Sequence, residues 1–184
     1  MYGPIYGLFI LISAPALVFA QTSYSPYIGH EKRAIKNFSE EEIQALLSGQ
    51  GMGLAKAAEL NHYPGPRHVL DLAAQLQLSE TQHAETQKIY DHMYQEAVRL
   101  GALIIDKEKE LDRLFAMQVA QLDTLQSLTK QIAQLQGELR FVHLQAHVGM
   151  KRLLSPEQVE AYDALRGYTA SADAAPHTGP HRHH

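Results

Sequence analysis

The 184-residue sequence contains no cysteine, and this absence excludes several kinds of chemistry. Without thiols the chain forms no disulfide, no thiolate metal site and no cysteine nucleophile. The net charge is −4 at pH 7 and no basic stripe stands out, so nucleic acid is not an expected partner. The GxSxG elbow, the HExxH helix, the phosphate loop and the dinucleotide fingerprint are also missing. We therefore expect a binding protein rather than an enzyme.

Helix-breaking residues are scarce in the middle of the chain, where no proline occurs between residues 67 and 155. Apolar or small residues recur there at spacings of three, four and seven, which predicts amphipathic helices. The first series is Ile89, Met93, Ala97, Leu100, Ile104, Leu111 and Leu114, and the second is Leu122, Leu125, Leu128, Ile132, Leu135, Leu139, Val142, Ala146 and Leu153. The predicted fold is all-α, with a long antiparallel helical hairpin that turns near 116–121 and short flanking helices. One continuous helix is the alternative.

Capping signals place the flanking helices. Ser39 and Glu42 form a capping box, and Gly49 stands where a C-terminal glycine belongs. Residues 52–60 and 67–76 are further helical stretches, separated by a turn at 63–66. A last helix starts at 155–158 and ends near Gly167. The predicted helical domain covers 39–168, between a flexible lead-in at 21–38 and a disordered histidine-rich tail at 169–184.

The first twenty residues are typical of a signal peptide. An apolar run from Leu8 to Ala20 ends in Val18-Phe19-Ala20, which resembles a cleavage site before Gln21. The apolar run is short for a membrane span. Because residues 1–20 contain no Lys or Arg, an uncleaved membrane anchor and a misassigned start codon are alternatives.

Histidine is abundant, with 11 residues, and suggests metal binding. His143, His147 and Met150 share one helical face and offer donors suited to Cu, Ni or Zn. Additional donors are His68, His83, His92 and Glu96, and the tail contributes His177, His181, His183 and His184. The alternative is that these side chains only cover part of the hairpin or face solvent. No cofactor is otherwise required.

Two helix starts carry the same pattern, one before and one after the predicted hairpin. It is formed by Leu78, Ser79 and Gln82 at the first start, and by Leu154, Ser155, Pro156 and Gln158 at the second. These segments resemble the LTxxQ motifs of the Spy/CpxP family of periplasmic stress proteins and of related heavy-metal resistance and sensor proteins. The resemblance covers roughly 66–168. Met150 matches a methionine of the related sensors, whereas Ala146 stands at the position of their histidine.

The resemblance implies a periplasmic homodimer of bent hairpins, either cradle-like or intertwined, that binds partly unfolded client proteins without ATP. A dimer is also expected because a lone hairpin leaves apolar stripes uncovered. One alternative is a periplasmic sensor or resistance protein for Cu, Ni or Zn. Another is a regulatory hairpin that docks on a membrane-bound signalling protein. The block at 51–66 has no assigned role.

Overall fold

The computed structural model describes residues 24–169, which form a short 3-10 helix and six α-helices without any β-strand. The 3-10 helix His30–Lys32 is followed by α1 (Glu40–Leu47), α2 (Lys56–Glu59), α3 (Pro66–Asp71), α4 (Glu80–Ala116), α5 (Leu122–Leu153) and α6 (Pro156–Leu165). The predicted all-α class is therefore confirmed. The predicted signal peptide at 1–20 and the tail histidines at 177–184 lie outside the described residues. None of the helices within 24–169 has the length and hydropathy needed to cross a membrane.

Helices α4 and α5 pack against each other as the predicted hairpin. The turn at 117–121 lies where the sequence predicts it, so the alternative of one continuous helix is wrong. No glycine or proline makes this turn. Instead Gln118 adopts a left-handed conformation with φ of 57°, and the Val119 amide donates to the Leu114 carbonyl at 3.0 Å. This geometry ends α4 in the way that a C-terminal glycine ordinarily does.

All three capping boxes form, at Ser39, Ser79 and Ser155. In each box the serine hydroxyl accepts a backbone N–H, and the third helical residue accepts the N–H of the serine. Helices α2 and α3 are shorter than the predicted stretches at 52–60 and 67–76. Met52 and Gly53 take positive φ values of 41° and 76°, which keeps the start of the first stretch out of the helix.

The core consists of two clusters, both formed where the flanking segments cover the hairpin. The first joins the N-terminal segment and α1 to the middle of the hairpin through Ile35, Leu46, Ala97, Leu100, Ile104, Ile105 and Leu139. The second joins α3 and α6 to the hairpin base through Val69, Leu76, Met150, Leu154, Val159 and Tyr162. Gly101 permits the first contact, because a Cβ at this position would overlap the Leu46 carbonyl oxygen.

The C-terminal end of the segment 21–38, which the sequence predicts to be a flexible lead-in, packs against the hairpin. Ile35 is fully buried in the first cluster, and Phe38 packs against it. Lys36 also pairs with Asp112 at 3.4 Å. The two apolar side chains, three residues apart, gain burial against α4 and α5 that outweighs the polar character of the segment.

Candidate functional site

The two motif glutamines meet at the base of the hairpin and bind each other. The Gln82 Nε2 donates to Gln158 Oε1 at 2.8 Å, and the Gln158 Nε2 donates to Gln82 Oε1 at 3.0 Å. Each Oε1 also accepts the N–H of its own capping serine, at 3.1 Å for Gln82 and 3.0 Å for Gln158. Each Nε2 reaches across to a carbonyl, that of Leu153 or Leu76, at 3.2 Å. The repeated motif thus has a structural role: it joins the start of α4 to the start of α6.

A cavity of about 530 Å³ lies beside this base and is lined by His143 and His147 of α5. Tyr90, Met93 and Tyr94 of α4 form another wall. The remaining walls come from the glycine-rich segment 48–53, from α2, from residues 65–68 and from the C-terminal Arg166 and Tyr168. The block at 51–66, which the sequence leaves without a role, therefore supplies a large part of the lining.

The structure brings together only two of the three residues predicted as a metal site. His143 and His147 line the same cavity, whereas Met150 is fully buried in the second core cluster and does not line it. Its helical position turns it toward α3 and α6, where a thioether packs as an apolar group. Within residues 24–169 no group of three or more His, Asp or Glu is arranged to hold a metal ion.

The further metal candidates are dispersed. His68 lines the same cavity as His143, whereas His83 is exposed and His92 lines a separate groove between α4 and α5. Glu96 pairs with Arg99 at 2.8 Å rather than with a histidine. Metal binding therefore stays a prediction.

The two cavity histidines differ in their hydrogen bonding. His147 Nδ1 lies 2.7 Å from the Tyr63 carbonyl oxygen, so this nitrogen carries a proton and donates it. His143 is buried, and its Nε2 has no hydrogen-bond partner among the described residues. Burial, and to a smaller extent the nearby His147, lower the pKa of His143, so its ring is neutral in the folded protein.

Glu59 is the central polar residue that the sequence does not reveal. Its Oε1 accepts hydrogen bonds from Tyr162 Oη at 2.6 Å and from Tyr168 Oη at 3.0 Å. Arg166 Nε lies 3.5 Å from the same oxygen, and His147 Nδ1 lies 3.6 Å from Oε2. Burial and the bond to Glu59 raise the pKa of Tyr162. The carboxylate therefore fastens the C-terminal residues to α2. The glycines of segment 49–53 are the sequence feature that could have indicated this site, because glycine permits close approach of backbone.

The fold and the site define a class: an all-α protein built on a helical hairpin, with a cavity at its base. Comparison with models of protein families, with curated proteins and with solved structures gives no match. The resemblance to the Spy/CpxP family stays a hypothesis that rests on the two motifs.

Proposed function

We propose that this protein is an exported periplasmic chaperone that binds partly unfolded proteins without ATP. The observation that carries the proposal is a cluster of exposed apolar side chains around the hairpin turn, which we term the tip cluster. It consists of Phe115, Met117, Val119 and Leu122. The Leu122 side chain is 84% exposed, although it opens a helix of 32 residues.

The tip cluster suits a changing partner better than a fixed one. Residues 109–127 contain no buried side chain, so packing does not hold the cluster in one arrangement. Methionine adapts to irregular apolar surfaces because its side chain is flexible and polarisable. The exposed charged neighbours Arg113 and Asp123 keep the surroundings hydrated. An apolar surface with a charged rim is typical of a site for other proteins.

A homodimer is part of the proposal. The described residues show no element covering the shallow groove between α4 and α5 that is lined by Ile89, Val142 and Val148. A second copy of the chain could cover this groove and leave both tip clusters free. Sedimentation velocity on the purified protein tests this directly, and a concentration-independent monomer would contradict it.

The test of chaperone function compares two exposed phenylalanines. Phe115 in the tip cluster is 59% exposed and Phe141 on α5 is 61% exposed, so their loss removes similar apolar surface. We expect the protein to suppress aggregation of an unfolding client at an equimolar ratio of dimer to client. Phe115→Ser weakens this suppression and Phe115→Ser with Leu122→Ser abolishes it, whereas the matched single variant Phe141→Ser preserves it. Failure of the unmodified protein to slow aggregation, or equal loss in the two single variants, would contradict the proposal.

Metal sensing is the second candidate, and it is favoured by the shared cavity of His143 and His147. Calorimetric titration with Cu, Ni and Zn tests it, using the full chain and a chain shortened by residues 177–184. Sub-micromolar binding that is lost in the variant His143→Ala/His147→Ala would support this candidate. Binding lost only on removal of the tail would assign the metal to the tail instead.

A further inference from the structure

Four glycines are among the residues that line the cavity at the hairpin base. Gly49, Gly51, Gly53 and Gly65 contribute backbone but no side chain to its walls. A Cβ at Gly65 would come within 3.1 Å of His147 Cε1, and a Cβ at Gly51 would stand 3.8 Å from the His143 ring. Side chains at these positions would therefore occupy the space. Its volume of about 530 Å³ is in the range of pockets that hold small organic ligands.

Charge in the lining favours an anion. Lys56, Arg67 and Arg166 line the cavity, whereas Glu59 is the single carboxylate among its lining residues. Arg166 lies beside Glu59, and Arg67 pairs with Asp71 at 3.3 Å. Lys56 has no carboxylate within 4.0 Å among the residues that the structure describes. An anionic group would supply one.

His143 adds a hydrogen-bond donor to the same cavity. The edge of its ring with Nδ1 and Cε1 faces Gly51, and Nε2 has no hydrogen-bond partner within residues 24–169. Nε2 is enclosed by protein, so Nδ1 is the ring nitrogen that faces the cavity. In the neutral tautomer with its proton on Nδ1, the ring presents an N–H at the Gly51 side. There it can donate to a ligand oxygen.

The wall that α4 contributes to the cavity is aromatic and apolar. Tyr90 and Tyr94 are stacked one helical turn apart, with ring centroids 6.1 Å from each other and an angle of 23° between the rings. Met93 lies between them in sequence and also lines the cavity. Flat side chains with a neighbouring thioether suit a planar apolar ligand.

We propose that this cavity binds a small aromatic carboxylate, with its carboxylate toward Lys56 and His143 and its ring against Tyr90, Met93 and Tyr94. The site is distinct from the tip cluster, and binding here does not depend on chaperone function. It also needs no metal ion, since the imidazole of His143 acts as a neutral donor.

The experiment titrates the full chain with naphthoate by calorimetry and compares the neutral isostere naphthamide. We expect naphthoate to bind with a Kd below about 1 mM, and naphthamide at least about tenfold more weakly because it lacks the charge. Lys56→Gln weakens naphthoate binding by about tenfold, whereas Lys109→Gln, on the exposed side of α4, leaves it unchanged.

Two glycine variants locate the binding. Gly51→Leu fills the cavity without backbone strain, because the φ of Gly51 is not positive, and it abolishes binding. Gly137→Leu adds the same side chain to α5 where a Cβ meets open space, and it preserves binding. Circular dichroism confirms that both variants fold.

Four outcomes would overturn the proposal. They are no naphthoate binding by the unmodified chain, equal binding of naphthamide, full binding by Gly51→Leu, and loss of binding in the tip-cluster variant Phe115→Ser/Leu122→Ser. A Zn titration that shifts the NMR signals of both cavity histidines, with naphthoate shifting neither, would assign the cavity to metal instead.

Discussion

Replacing the motif glutamines by alanine tests whether Gln82 and Gln158 act as one unit. Gln82→Ala removes four hydrogen bonds, namely the two shared with Gln158, one to the Ser79 amide and one to the Leu153 carbonyl. Gln158→Ala likewise removes four, two of which are the same shared bonds. The double variant therefore removes six bonds rather than eight.

The magnitude follows from this count. A hydrogen bond contributes a net of about 0.5–1 kcal/mol where water can partly replace it, so each single variant loses about 2–4 kcal/mol of unfolding free energy. The double variant loses about 3–6 kcal/mol. The double variant therefore loses about 1–2 kcal/mol less than the sum of the losses in the two single variants.

Urea denaturation followed by far-UV circular dichroism measures these free energies. Gln134→Ala is the control, because Gln134 is an exposed glutamine of α5 with a single hydrogen bond, to Glu138 at 2.9 Å. We expect its unfolding free energy to change by less than about 0.5 kcal/mol. Additive losses in the double variant, or a loss in Gln82→Ala no larger than in the control, would refute a mutually bound amide pair.

Further substitutions test the contact between Gly101 and Leu46 and the burial of Glu108. Gly101→Ala lowers the unfolding free energy by about 1–3 kcal/mol, because its Cβ displaces the Leu46 carbonyl. The control Gly137→Ala raises the unfolding free energy by up to about 1 kcal/mol, because its Cβ meets open space and alanine favours a helix. If both variants changed the unfolding free energy in the same direction in thermal or urea denaturation, the contact would be contradicted. Burial raises the pKa of Glu108, so the stability that the neutral carboxyl contributes is present below pH 4.5 and is lost as the pH rises through the folded-state pKa. Glu108→Gln therefore stabilises the protein at neutral pH: the urea midpoint rises, and the unfolding free energy increases by roughly 1 kcal/mol. At acidic pH the substitution has no such effect. The exposed Glu110→Gln shows no such pH dependence, and a Glu108→Gln effect that is the same at every pH would count against burial as the cause.

The local parts of the fold could be predicted from the sequence because their signals are local. The capping boxes at Ser39, Ser79 and Ser155 depend on residues three positions apart, and all of them form. The hairpin follows from two apolar series of similar length. Its turn could be located only by the break between them, since Gln118 takes the left-handed conformation that sequence rules reserve mainly for glycine and asparagine.

The candidate site could not be predicted because it depends on contacts between distant segments. Glu59 meets Tyr162 across 103 positions, and no spacing rule links them. Ile35 looked like part of a polar lead-in, and its burial becomes visible only when α4 and α5 supply the surface against which it packs. The same holds for Met150: helical spacing places it beside His147, but the packing of α3 and α6 makes it a core residue.

The uneven burial along the hairpin has a mechanical consequence. Buried side chains stop at Glu108 on one helix and resume at Leu128 on the other, while the amide pair and the second core cluster hold the opposite end. Separating the helices at the turn exposes little apolar surface, whereas separating them at the other end breaks the amide pair and exposes the second core cluster. We therefore expect local opening of the hairpin to begin at the turn, while the base, held by the amide pair and the second core cluster, stays closed.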